Sequence, residues 1–168
     1  MNFKNEIKVA PSILSADYAD LKNEIEKVKA AGADMLHVDV MDGHFVPNIS
    51  IGPPVVKSLR KATDMFLDCH LMISNPYDYI DAFASSGADL ISFHIESNSD
   101  VEKTIEKINT LQNQMFKYNK CYISLIPDKS CFYDKYNIEL AMLHYLKSTY
   151  NCLIHMTGVN QKENQWNP

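Results

Sequence analysis

The sequence predicts an α/β protein built from repeated strand-helix units around a parallel sheet. Short apolar runs alternate with helical patterns in the order βαβαβαβα, followed by a further strand, and this alternation is typical of parallel sheets with crossover helices. A Gly-Ala-Asp turn occurs at residues 32–34 and again 55 residues later. Because that spacing equals about two βα units, it favours a barrel of repeated units. A doubly wound sheet is the alternative, but the first strand is followed by SILSADYAD, which has no glycine-rich phosphate turn.

The predicted strands are apolar runs whose side chains alternate between two faces of a sheet. They are Ile7–Leu14, a run that begins at Leu36, Met65–Met72, Asp89–Ile95 and Lys120–Ile126, with a further candidate at Asn151–Met156.

The predicted helices carry apolar residues at helical spacing. They are Asp17–Ala31, Pro53–Lys61, a helix that starts at Asn75-Pro76 and ends at Gly87, Asp100–Phe116, and Asn137–Lys147 in the tail. Asp17 is expected to cap the first helix and Gly32 to end it, and Asp78 strengthens the start at Asn75.

Size and composition predict a single domain spanning residues 1–168. Hydrophobic residues make up 46% and charged residues 22% of the chain, which is ordinary globular usage. The net charge of −5 and the absence of a Lys/Arg run argue against a nucleic-acid partner and favour a small molecule. The start contains no signal-peptide pattern and no run is long enough to span a membrane, so a cytoplasmic protein is expected. The four cysteines lack CxxC spacing and are interpreted as reduced thiols.

A histidine and a carboxylate stand two residues apart in the strand that begins at Leu36. His37 and Asp39 must share one face of that strand, while Leu36, Val38 and Val40 share the other. Polar groups on a buried strand are costly unless they are paired or bind a ligand. The pattern is compatible with either a functional site or a structural His-Asp hydrogen bond.

Neighbouring strands repeat this arrangement and favour a site. Asp68 and His70 share a face of their strand, as do Ser92 and His94, and Ser12 lies on a face with Ala10. Two histidines from different strands together with Asp39 form a plausible N/N/O ligand set for a divalent ion.

Three segments closely resemble the ribulose-phosphate 3-epimerase family. They are PSILSAD at Pro11–Asp17, LHVDVMDGHFVPNISIGPPVV at Leu36–Val56 and LDCHLMISNP at Leu67–Pro76. The resemblance extends over about residues 7–127. It implies a TIM (β/α)₈ barrel of the ribulose-phosphate-binding type and interconversion of D-ribulose 5-phosphate and D-xylulose 5-phosphate.

The resemblance also implies roles for individual residues. His37, Asp39 and His70 would bind one divalent ion of zinc, iron, manganese or cobalt, and Asp39 would be one of two acid/base groups. Ser12 and His70 would contact the sugar-phosphate substrate, and Met41 and Met72 would line its pocket. Such chemistry removes a proton from C3 on one face of the sugar and returns one on the other. Asp42 is expected to shape the loop with Gly43, and His94 to be structural.

Residues 128–168 depart from the family pattern. The family's second aspartate, in an Asp-Gly-Gly turn, and its glycine-rich phosphate loops have no counterpart, since no two of the five glycines are adjacent. A barrel truncated after about five to six βα units is therefore expected, with an unpaired strand edge that favours self-association into a homo-oligomer. The alternatives are an epimerase for a related ketose phosphate such as allulose 6-phosphate, or a catalytically impaired barrel fragment.

Overall fold

A computed structural model of the protein describes residues 9–115, 122–125 and 153–156. The helices are Leu21–Ala30 (α1), Pro53–Ala62 (α2), Ile80–Ser85 (α3) and Val101–Met115 (α4), with 3-10 turns at Ile13–Ser15 and Pro76–Tyr79. The strands are Met35–Met41 (β1), Phe66–Met72 (β2), Leu90–His94 (β3), Tyr122–Leu125 (β4) and Leu153–Met156 (β5).

The five strands form one parallel sheet in the order β1-β2-β3-β4-β5. Strands β1 and β2 pair along their whole length, from Met35 opposite Phe66 to Met41 opposite Met72. Parallel neighbours joined through helices are the repeating unit of TIM-barrel-type folds. The predicted fold class is therefore confirmed.

The segment before β1 is extended for a shorter distance than predicted. The carbonyl of Pro11 accepts a hydrogen bond from the His37 backbone at 3.0 Å, and Ser12 forms a single parallel bridge with His37. The prediction of a strand through Leu14 is wrong, because the chain enters a 3-10 turn at Ile13. The Ser12 hydroxyl accepts the Leu14 N–H at 3.1 Å and so stabilises this turn.

Helix α1 begins later than predicted. Asp17 accepts the Ala19 N–H at 2.9 Å in a turn that precedes the helix, and Asp20 occupies the N-cap position. The prediction that Asp17 caps α1 is therefore wrong. Gly32 ends the helix as predicted, with a φ of +91° that favours glycine.

The helix that follows Asn75 begins where the sequence predicts. Its first turn, Pro76–Tyr79, is a 3-10 turn, the Asn75 side chain makes no capping hydrogen bond, and α3 begins only at Ile80. Proline fixes the local φ without donating a backbone hydrogen bond, which suits the first turn of either helix type. The predicted helix start at Asn75-Pro76 is therefore confirmed, with a first turn of 3-10 type, and the predicted end at Gly87 is confirmed by a φ of +102°.

The main hydrophobic core lies between one face of the sheet and the helices. Leu36, Leu67 and Cys69 are fully buried in it, and each large apolar side chain stabilises the fold by about 1.5–3 kcal/mol. The helices contribute a matching set that includes Ile25, Val56, Leu59, Ile80, Phe83 and Ile105. Cys69 is a free thiol, as predicted, and the other three cysteines lie outside the described residues.

The repeated Gly-Ala-Asp turn has the same function in both copies. The Asp34 carboxylate accepts the Val9 N–H at 2.9 Å, and the Asp89 carboxylate accepts the Leu67 N–H at 2.9 Å. Each aspartate thus ties its turn to the preceding extended segment. This equivalence confirms the internal repeat that the spacing predicts.

The predicted strands Lys120–Ile126 and Asn151–Met156 correspond to β4 and β5. The predicted helix Asn137–Lys147 lies outside the described residues. In the described part of the chain, none of the helices is long and apolar enough to cross a membrane.

Candidate metal centre

The second face of the sheet, here called the polar face, carries apolar residues at both ends of the strands and polar residues between them. At its N-terminal end Met35, Phe66 and Leu90 form a small apolar cluster that Ala10 contacts. Polar residues follow, and Met41 and Met72 lie opposite each other at the C-terminal end. The polar residues of β1 to β3 on this face are His37, Asp39, Asp68, His70, Ser92 and His94.

Three of these side chains converge on one point. Asp39 Oδ1 lies 3.2 Å from His37 Nε2 and 3.1 Å from His70 Nδ1. One ligand atom from each residue lies within 4.8 Å of the others. The side chains of His37, Asp39 and His70 are 20%, 13% and 6% exposed, so the cluster is largely shielded from solvent.

The sheet register explains this convergence. Asp39 pairs directly with His70 across β1 and β2, and His37 precedes Asp39 by one step on the same face. Cross-strand neighbours on one face lie about 5 Å apart at Cβ, which is within reach of an imidazole. The predicted set is thus brought together by backbone pairing.

The ionisation states of His37 and Asp39 are strongly coupled. Burial opposes ionisation of His37, but its hydrogen bonds to Asp39 and Asp68 prevail and raise its pKa to about 10. Burial likewise opposes ionisation of Asp39, but hydrogen bonds from His37, His70 and Ser12 hold its pKa well below the usual range. Without a metal ion, Asp39 is therefore a carboxylate that lies beside the imidazolium of His37.

Ser12 reaches the cluster from the segment before β1. Its hydroxyl donates a hydrogen bond to Asp39 Oδ2. Asp39 is therefore held on one oxygen by Ser12 while its other oxygen faces both histidines.

Asp68 extends the cluster on the far side of His37. Its Oδ2 lies 2.8 Å from His37 Nδ1, and the two residues are direct partners in the β1–β2 register. His37 thus has a carboxylate at each ring nitrogen.

His94 extends the cluster beyond His70. Its Nε2 lies 2.8 Å from His70 Nε2, and the residue is 1% exposed. Burial, and secondarily the nearby His70, lower the pKa of His94 to about 4, so the ring is neutral near pH 7. The Phe45 ring packs against it at 5.0 Å between centroids.

The loop after β1 has the organisation that the sequence predicts. Asp42 accepts backbone hydrogen bonds from His44 and Phe45 at 2.9 Å and from Ser74 at 2.8 Å. These bonds hold the pKa of Asp42 below its usual range despite some burial. Gly43 has a φ of +75°. Asp42 therefore shapes the loop and joins it to the segment after β2.

The donor set fits a divalent transition metal ion. Two imidazole nitrogens and a carboxylate oxygen are ligands that zinc, iron, manganese and cobalt accept. Two ligands of a tetrahedral ion with bonds of about 2.0–2.1 Å lie about 3.3 Å apart. The separations of 3.1 and 3.2 Å from Asp39 Oδ1 to the histidine nitrogens are close to that value.

Two residues that contact the cluster have no part in the site that the sequence predicts. The sequence places Asp68 on the correct face without a role and predicts a structural role for His94. The signal available for both was their position, since each lies on the polar face two residues from another polar side chain.

Comparisons with known proteins identify the family to which the chain is similar. The family model described as "Ribulose-phosphate 3 epimerase family" matches residues 8–116. Ribulose-phosphate 3-epimerase of Bacillus subtilis is 59% identical over 102 residues, which are 61% of this chain and 47% of the relative. The Rhodobacter capsulatus relative of the same name is 52% identical over 108 residues, 64% of this chain and 47% of its own. The cytoplasmic isoform from Oryza sativa is 55% identical over 93 residues, 55% of this chain and 41% of its own.

The chain spans about half the length of these curated relatives. All three relatives are named as ribulose-phosphate 3-epimerases. Among solved structures, a Yersinia pestis DHPS with a pterine-sulfa conjugate aligns with a TM-score of 0.59 at 14% identity, over 94% of this chain and 61% of that one. This likeness concerns the fold alone. Since the family model covers more than half of the residues, the chain belongs to the ribulose-phosphate 3-epimerase family.

Proposed function

We propose that this chain carries the metal-binding part of a ribulose-phosphate 3-epimerase site and one of its two acid/base groups. The observation that carries the proposal is the convergence of His37, Asp39 and His70 on the polar face in a chain of this family. The reaction is the interconversion of D-ribulose 5-phosphate and D-xylulose 5-phosphate.

Epimerisation at C3 needs a base on one face of the sugar and an acid on the other. Asp39 suits the first role, because it is ionised and lies within hydrogen-bond distance of both histidines. The other carboxylate on the polar face of β1 to β3, Asp68, is turned to the far nitrogen of His37. The described strands thus supply one proton-transfer group.

His37, Asp39 and His70 would hold the divalent ion. When bound, that ion supplies positive charge beside the ketose oxygens, where negative charge develops as the C3 proton leaves. Ser12 keeps Asp39 oriented through its hydrogen bond and would also contact the substrate. Met41 and Met72, which pair at the C-terminal end of β1 and β2, would line the substrate pocket.

We further place this activity in the cytoplasm, as the name of the rice relative indicates for that protein. The partner is a sugar phosphate, whereas the net charge of −5 and the lack of a basic run argue against nucleic acid. Assembly into a homo-oligomer stays a prediction.

Deuterium exchange at C3 tests the proposal. Wild-type chain loaded with Mn²⁺ is incubated with xylulose 5-phosphate in deuterated water, and loss of the C3 proton is followed by NMR. Exchange is expected in the wild type and should fall by about 10²- to 10⁴-fold in Asp39→Asn. Asp64→Asn, an exposed aspartate that pairs with Lys29, is the control and should match the wild type.

Equal exchange in wild type and Asp39→Asn would contradict the role of Asp39. Absence of exchange in the wild type would contradict the proposed function itself. Because Asp39 acts on one face of the sugar, exchange is expected without rapid net epimerisation. Rapid net conversion would place the second group outside the described strands.

A further inference from the structure

His37 lies between two carboxylates, of which one belongs to the proposed ligand set and the other does not. Its Nε2 faces Asp39 Oδ1 at 3.2 Å, and its Nδ1 faces Asp68 Oδ2 at 2.8 Å. Asp39 belongs to the proposed ligand set, whereas Asp68 touches only the outer nitrogen of the ring. The shorter of the two contacts is thus made by the residue that lies outside the ligand set.

A contribution to the stability of the fold does not explain why an aspartate occupies position 68. Its side chain is 14% exposed, and within the part of the chain that the structure describes its Oδ1 is buried without a hydrogen-bond partner. A carboxylate in such a place costs desolvation energy, and an apolar residue of similar size is often neutral or stabilising there. The adjacent partner of Asp68 on β3 is the apolar Leu90.

The chemistry of the His37 imidazole indicates a function for Asp68. A neutral ring carries one proton and one lone pair, and the partner of one nitrogen decides which nitrogen is free to bind a metal. A carboxylate at Nδ1 keeps the proton there, fixes the ring plane and makes Nε2 a better donor. His70 is held the other way round, with Nδ1 toward Asp39 and Nε2 toward His94.

We propose that Asp68 is a positioning residue that keeps Nδ1 of His37 protonated and its ring oriented, so that Nε2 is presented to a divalent metal ion. The proposal rests on the metal-binding part of the proposed function and is independent of the epimerase chemistry. It assigns a role to a buried carboxylate that the ligand set does not use.

Zinc affinity provides the first test. The dissociation constant of Zn²⁺ is measured by chelator competition for the full chain, for Asp68→Asn, for Asp68→Leu and for the control Asp64→Asn. Loss of such an outer partner is expected to weaken binding by about 10- to 100-fold. Asp68→Leu should show the larger loss, because the asparagine oxygen can still accept the Nδ1 proton. The control should keep the wild-type constant.

Stability is measured in parallel, since a purely structural residue would change unfolding alone. If the Asp68 variants unfold more easily but bind Zn²⁺ as the wild type does, the positioning role is overturned. If the wild type itself binds no Zn²⁺, the metal-binding part of the proposed function fails as well, and the two failures are thereby distinguished.

Nitrogen NMR of the wild type gives a test that needs no variant. In chain labelled with ¹⁵N-histidine and loaded with Zn²⁺, His37 should carry a slowly exchanging proton on Nδ1 and metal on Nε2. His70 should show the reverse assignment and serves as an internal comparison. Metal on Nδ1 of His37, or rapid exchange of its proton, would overturn the proposal even if the Asp68 variants fail to fold.

Discussion

The Nε2 atoms of His70 and His94 lie 2.8 Å apart in the buried centre of the polar face. One nitrogen must donate and the other accept, so the contact requires at least one neutral ring. His94 meets this requirement, because burial, and secondarily the nearby His70, lower its pKa to about 4. A buried neutral histidine has a measurable consequence for stability.

Stability of the metal-free chain should fall as the pH falls from 6.5 to about 4. In that window the unfolded chain protonates His94 at its ordinary pKa of 6.5, while the folded chain does not. The unfolded state then binds more protons, so the free energy of unfolding decreases as pH is lowered. The lowering of the His94 pKa from 6.5 to about 4 corresponds to a loss of about 3 kcal/mol in the free energy of unfolding over this pH range. Urea unfolding across this range measures it.

His94→Gln is the matched variant, because glutamine can still hydrogen-bond to His70 but does not titrate. Its stability should decline much less over the same window. The raised pKa of His37 acts in a separate window, where stability is lost as pH rises from 6.5 toward about 10. An identical acid dependence in wild type and His94→Gln would show that His94 is not the responsible group.

Metal binding should release about one proton per ion at about pH 8. The pKa of His37 is raised to about 10, so the ring is protonated there in the metal-free chain and must lose that proton to bind. A histidine with an ordinary pKa would release almost none. Titration with Mn²⁺ in weakly buffered solution with a pH indicator counts the protons.

Asp68→Asn should release fewer protons in the same titration, since one of the two carboxylates that raise the pKa of His37 is removed. Binding of Mn²⁺ to the wild type without proton release would contradict the coupling of His37 to its two aspartates.

Gly87→Ala should destabilise the fold more than Gly32→Ala. Both glycines have a positive φ, of +102° and +91°, so each alanine costs about 1–2 kcal/mol of backbone strain. A Cβ at Gly87 would also lie 2.5 Å from Arg60 Cγ, whereas a Cβ at Gly32 meets nothing within 4 Å. Displacing Arg60 would disturb the 2.8 Å hydrogen bond that its Nη1 donates to Asp89 Oδ2.

The additional loss at Gly87 is expected to be about 1–3 kcal/mol, as for other overpacked sites. Denaturant unfolding of the two variants side by side measures the difference. Equal destabilisation would mean that Arg60 moves aside without cost.

The faces of the strands follow from the sequence because side chains alternate strictly along a strand. His37, Asp39 and His70 were placed on one face for this reason, and the structure brings them together. The contact partners of Asp68 and His94 did not follow. Alternation gives the face, whereas the partner depends on the register and stagger of neighbouring strands, which are set by long-range pairing.

Element ends were predicted less well for a local reason. Asp17 and Asp20 are both good N-cap residues, and the sequence alone does not decide between them. Ser12 satisfies the Leu14 N–H and starts a 3-10 turn inside a run whose apolar pattern is that of a strand. A side-chain hydrogen bond to the backbone thus accounts for the end of the first extended segment, whereas Asp20 makes no capping hydrogen bond at the start of α1.

Metal content tests the three-residue centre most directly. Wild-type chain, His37→Ala combined with His70→Ala, and the control His44→Ala are loaded with Zn²⁺, dialysed and analysed for metal. His44 lies in the loop after β1 and is bonded to Asp42, outside the cluster. We predict about one ion per chain for the wild type and His44→Ala, and almost none for the double variant, which keeps one of three ligands. Equal metal content in all three proteins would contradict the assignment of His37, Asp39 and His70 as the metal centre.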